Sequence, residues 1–124
     1  MTKILMPINP IHVEKILSGV KKYEYRKIIP KRLDINKMYI YSTSPVKKVV
    51  AEVEVLDILI NDKHIIWNLT RHYSGTDKIF FDKYYKNKNI SVAYKLGKIT
   101  LYNPYKELKE YNINYYPQSY IYLD

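Results

Sequence analysis

The chain has 124 residues, 47% of them hydrophobic and 27% charged, with no cysteine. That suffices for one domain, residues 1–124, with a single core, and it excludes a disulfide framework and a thiolate metal site. No apolar run approaches the roughly 20 residues of a membrane span, and Met1-Thr2-Lys3-Ile4-Leu5-Met6-Pro7 is interrupted too soon for a signal peptide, so a cytoplasmic location with no membrane partner is expected. The formal net charge of +9 suits an anionic partner. A genome biased toward the A/T-rich codons of Lys, Ile, Asn and Tyr gives the same excess, so charge alone separates these readings poorly.

Lys3 to Ile8 predicts a short strand. Asn9-Pro10 then starts a helix, with Asn9 as the cap and Pro10 in the first turn. Val13, Ile16, Leu17 and Val20 recur at i, i+3, i+4 and i+7, an apolar stripe, and Gly19 sits where a left-handed cap would end the helix. From Lys21 the period becomes two: Tyr23 and Tyr25 face the core, while Lys22, Glu24 and Arg26 face the other way.

Lys37 to Ser42 is a second strand, followed by a turn at Ser44-Pro45. Val49 to Ile60 is a long strand whose apolar positions change from odd to even, which calls for a bulge near Val55-Leu56. Asp62 caps a short helix carrying Ile65, Ile66 and Leu69. Ser74 and Asp77 fit a capping box for another, carrying Phe80, Phe81, Tyr84 and Tyr85. Ile90 to Leu96, Lys98 to Asn103 and Ser119 to Leu123 predict three more strands. The fold class expected is α+β, a mostly antiparallel sheet or barrel with short helices on one side.

Three scattered glycines leave no phosphate-cradling loop. His12, His64 and His72 lack ligand spacing, so neither a metal nor a cofactor is expected. The segment Gly19-Val20-Lys21-Lys22-Tyr23-Glu24-Tyr25-Arg26-Lys27 stands apart. Where a helix ends and glycine turns the chain, Lys21, Glu24 and Arg26 emerge together. A carboxylate between two cations holds their positions, and the cations engage phosphate while the carboxylate can accept from a base amino group. A solvated strand face with ordinary salt bridges would carry the same residues.

The pattern Gly19-x-Lys21-x-x-Glu24-x-Arg26 resembles the GxKxxExR signature of ASCH domains, a branch of the PUA-like barrels. Leu5-Met6-Pro7-Ile8-Asn9-Pro10 before a short helix, Tyr41-Ser42-Thr43-Ser44-Pro45 before a long strand, and the closing Pro117-Gln118-Ser119-Tyr120 extend the likeness over nearly the whole chain. The resemblance implies a PUA-like β-barrel with a cleft beside the motif, and RNA or a nucleotide-like ligand as the partner. Lys21 and Arg26 would contact phosphate, and Glu24 would order them or read a base edge. Lys22, Ser42, Ser44, Gln118 and Ser119 are further candidates for that surface, and Lys47 and Lys48 would extend its basic face.

Some proteins similar to this family are hydrolases, among them amidohydrolases of acetylcytidine and ribonucleases. In the amidohydrolases the catalytic set is the motif Lys, a Thr where this chain has Glu24, and a Glu from the later helical region. Only Lys21 carries over, since Arg71-His72-Tyr73-Ser74-Gly75 offers no Glu. An enzyme of this chain would use Lys21 and Glu24 as its catalytic pair.

Overall fold

The computed structural model describes residues 1–123; Asp124 lies outside them. The elements in chain order are β1 (Thr2–Ile8), α1 (Pro10–Ser18), β2 (Tyr23–Arg26), β3 (Ile35–Ser42), β4 (Lys48–Asp62), α2 (Lys63–Thr70), α3 (Lys78–Tyr84), β5 (Ile90–Lys106) and β6 (Ile121–Leu123). Single 3-10 turns occupy Arg71–Tyr73 and Leu108–Tyr111. The strands form one mixed sheet in the order β2-β5-β4-β3-β1-β6. β1 and β3 run parallel, and the other pairings are antiparallel.

The expected barrel does not close. Among the described residues β2 and β6 stand at opposite edges of the sheet. These edge strands have four and three residues, and such short edges present few unpaired backbone groups to other chains.

α1 forms as its sequence dictates. The Asn9 side chain accepts from the Ile11 N–H, Pro10 fills the first turn, and Gly19 adopts φ 87° while its N–H donates to the Ile16 carbonyl. β4 bends where its apolar phase changes: its register on β5 shifts on both sides of Val55. Val49, Ala51, Val53 and Val55 are buried before the bend, and Ile58 and Ile60 pack on the main core after it. The two strands expected between Ile90 and Asn103 are one. Gly97, a plausible break in sequence, instead lets Leu56 lie across β5, since a β-carbon there would meet Leu56 Cδ2 at 2.9 Å. Asp77 alone caps α3 by accepting from the Phe80 N–H, and Ser74, the other expected cap residue, is buried elsewhere.

Val13 and Ile16 of α1 join the main core with Val92 and Tyr94 of β5. Ile66 of α2 and Phe81 of α3 join a separate cluster with Tyr25 and Ala93. Side chains alternate across a strand, so the helices expected on one side divide between the two faces of β5. α1 and α3 are left flanking β2, which frames the site described below. No helix among the described residues is long and apolar enough to cross a membrane.

The cap at Gly19 is a purely conformational requirement, because among the described residues nothing lies within 4 Å of an added β-carbon. Gly19→Ala is expected to destabilise the protein by about 1 kcal/mol through the left-handed backbone alone. Thermal unfolding followed by circular dichroism checks this; an unchanged melting temperature would mean the cap relaxes to another geometry.

Candidate functional site

The turn after α1 decides where the motif side chains go. The Lys21 N–H donates to the Lys15 carbonyl at 3.1 Å, and the Lys22 N–H to the Tyr73 carbonyl at 2.8 Å. Lys21 also forms an isolated antiparallel bridge with Ser74. This pairing with the segment between α2 and α3 carries the Lys21 side chain inward, leaving it 3% exposed. Its Nζ donates to the Ser74 carbonyl at 2.9 Å, lies 3.8 Å from Glu24 Oε1 and sits 4.8 Å from the centre of the Tyr25 ring.

Glu24 is 5% exposed. Its Oε2 accepts from Arg26 Nη2 at 2.7 Å and from Nε at 3.1 Å, and the same Nη2 donates to the Pro7 carbonyl at 2.7 Å. Lys15 reaches the same loop as Lys21, donating from Nζ to the Gly75 carbonyl at 2.8 Å. Gly75 has φ 68°, and a β-carbon there would stand 2.5 Å from Lys21 Cβ. Glycine is thus required both for the turn and for the stem of the buried lysine.

Lys21, Glu24, Tyr25 and Arg26 line a cavity of about 210 Å³ together with Pro7, Asn9, His12, Phe80 and Tyr84. Burial pushes the Lys21 ammonium below its ordinary pKa. Glu24 opposes that shift, and Lys15 and Arg26 reinforce it. The Lys21 ammonium has three N–H groups and a single hydrogen-bond partner among the described residues; Glu24 is too far away to be a second. Arg26 likewise spends Nε and Nη2 on the protein and leaves Nη1 without a hydrogen bond among the described residues. The wall therefore carries spare donors, backed by one buried carboxylate and flanked by aromatic rings.

Lys21, Glu24 and Arg26 meet here, as the motif led one to expect, but Glu24 is buried rather than on a solvated face. Tyr25, assigned to the core, also forms part of the cavity wall. Lys22 is exposed and does not border the cavity; its Nζ lies 4.5 Å from the centre of the Tyr73 ring. Ser44, Lys47 and Gln118 line an adjoining hollow of about 430 Å³ that shares Pro7 and Asn9 with the cavity. Ser42 is buried in β3 and Ser119 is exposed, and neither borders either hollow. Lys48 is paired with Glu107.

Sequence reasoning missed His12, Phe80, Tyr84 and the Ser74-Gly75 loop. His12 lacks metal-ligand spacing, and Ser74 lies 53 residues from the lysine it meets. No local pattern could have joined them.

Two substitutions separate the site from the fold. Removing one partner of a buried ion network strands whichever charges lose their counter-ion. Lys21→Met leaves Glu24 paired with Arg26 and is expected to destabilise the protein by less than Glu24→Gln does. Glu24→Gln should destabilise by about 3 kcal/mol, well beyond the roughly 0–1 kcal/mol of an exposed pair. Denaturant unfolding measures both; a severe loss in Lys21→Met would make Lys21 structural.

No family model matches the chain. Over 97% of its length it is 29% identical to a stretch of the ATP synthase subunit alpha of Ureaplasma parvum serovar 3, and 30% identical to a stretch of the large ribosomal subunit protein uL22 of the same organism. The chain spans only 15% and 39% of those two proteins, so the likeness is to a domain-sized portion of each. Among solved structures it is similar to an ASCH protein from Zymomonas mobilis, with a TM-score of 0.87 and 25% identity over 98% of this chain and 87% of that one. A point variant of the same protein gives a TM-score of 0.88 and 23% identity over 100% and 91%. A six-stranded mixed sheet superposing over its whole length on these structures has the fold of the ASCH domain.

Proposed function

We propose that this domain binds single-stranded RNA, seating one nucleotide at the cavity beside β2. The observation that carries this reading is a buried lysine with a single hydrogen-bond partner, beside an arginine that a buried carboxylate holds in place. Burying such charge is unfavourable unless something uses it, and fixed cations with spare donors suit phosphate oxygens. Lys21 and Arg26 Nη1 contact phosphate in this reading. Glu24, already engaged by Arg26, orders them. Phe80 and Tyr84 supply the stacking surface that single-stranded recognition uses.

At about 210 Å³ the cavity is smaller than the roughly 300–1,000 Å³ of pockets that enclose a drug-sized ligand. It suits one base or one phosphate. The adjoining hollow with Ser44, Lys47, Tyr116 and Gln118 suits the neighbouring nucleotide.

Fluorescence anisotropy with a labelled single-stranded RNA tests this. Affinity should fall with salt, with a log–log slope of about −0.7 per phosphate neutralised and so about −1.4 for two contacts. It should fall sharply in Lys21→Met and Arg26→Gln. No binding at low salt, or binding indifferent to both substitutions, overturns the reading; the second outcome would assign binding to surface lysines at large.

One observation favours a hydrolase of a modified nucleoside or of RNA: burial lowers the Lys21 pKa, which raises the share of free amine available as base or nucleophile. Glu24 works against that shift, and binding is the reading adopted. Purified protein incubated with acetylcytidine is expected to release no cytidine above background. Turnover that disappears in both Lys21→Met and Glu24→Gln would establish the enzyme instead.

A further inference from the structure

His12 occupies the first turn of α1 and lines the cavity opposite Lys21, Glu24 and Arg26. Neither ring nitrogen has a hydrogen-bond partner among the described residues, and Nδ1 is enclosed by protein. The ring is held edge-on to Phe80, with centroids 5.5 Å apart and planes at 62°. An unpartnered polar ring in the wall of a polar site calls for explanation, because buried polar groups are as a rule satisfied.

The surroundings decide its protonation. A doubly protonated ring would bury an N–H at Nδ1 with no acceptor, which is disfavoured. Burial and Lys21 press His12 below its ordinary pKa. Lys15 on its own helix and Arg26 on β2 act in the same direction, and Glu24 on β2 opposes. The positive end of α1 adds to the effect, and Phe80 and Tyr84 of α3 bring no charge at neutral pH. The ring is therefore neutral at pH 7. Of its two tautomers, the one with the proton on Nε2 avoids a stranded N–H at Nδ1 and presents a donor to the cavity.

We infer that His12 is a ligand-contacting residue of this cavity, a neutral imidazole that donates its Nε2–H to a carbonyl oxygen or ring nitrogen of the seated base. This rests on the nucleotide reading above and sharpens it: Lys21 and Arg26 hold phosphate, and His12 reads the base. Bases presenting an acceptor at that edge are then preferred over analogues in which a C–H replaces it.

Two measurements test this. Long-range proton–nitrogen NMR on histidine-labelled protein, with His12 assigned by its absence in His12→Gln, should show the Nε2–H tautomer at pH 7 and a titration midpoint below 6.5. Anisotropy with the labelled RNA should show binding about five- to tenfold weaker in His12→Phe, as expected for one lost hydrogen bond. His12→Gln, whose amide keeps a donor near Nε2, should stay within about twofold of wild type. Thermal melting shows whether each variant is folded.

An Nδ1–H tautomer or an imidazolium at pH 7 overturns the inference, as does wild-type affinity in His12→Phe. If the wild-type protein binds no RNA, the nucleotide reading fails and the inference falls with it. If wild type binds and folded His12→Phe binds equally, only the inference fails.

Discussion

The Glu24 carboxylate is buried, and a buried carboxylate persists only where cations and hydrogen-bond donors surround it. Arg26 and Lys21 meet that need, and each is tied to another part of the chain. Arg26 bonds the Pro7 carbonyl near the end of β1, and Lys21 bonds the Ser74 carbonyl between α2 and α3. One charged group thus fastens β1, β2 and the helical segment to a common point. The cavity is the space left around that point.

Packing explains why the point lies where it does. α1 belongs to one core and α3 to another, on opposite faces of β5, and at the site they meet through the His12 and Phe80 rings. Between them a cleft stays open, with His12 projecting from one helix and Phe80 and Tyr84 from the other. The open sheet has a related consequence. Among the described residues β2 pairs with β5 alone along its strand residues, and the backbone next to it is satisfied by the loop at Tyr73 and Ser74. An unclosed edge is what lets a distant loop reach the motif lysine.

The motif can now be read physically. Glycine at 19 supplies the left-handed turn that ends α1 and aims the chain at the loop. Lysine at 21 is the residue that this aim buries. Glutamate at 24 and arginine at 26 share a face of β2, two residues apart, which is the spacing that allows a carboxylate and a guanidinium to pair along one strand. The intervening Tyr25 borders the same cavity, and its hydroxyl meets Thr70 Oγ1 at 2.6 Å, which anchors the strand that carries the charged pair.

Sequence by itself determined what depends on neighbours in the chain. The Asn9-Pro10 start and Gly19 end of α1, the bend of β4 near Val55, the Asp62 cap of α2 and the grouping of Lys21, Glu24 and Arg26 are all local matters of period, cap and turn. Tertiary structure decided what depends on contacts across the chain. The sheet stays open with β2 and β6 at its two edges, Gly97 accommodates a leucine from the opposite strand, and Glu24 is buried because distant segments cover it. His12, Phe80 and Tyr84 face the motif from helices that sequence could place in order but not in space. Periodicity reports which face of an element is apolar; which elements meet is set by packing among residues tens of positions apart, and this cavity is made at such a meeting.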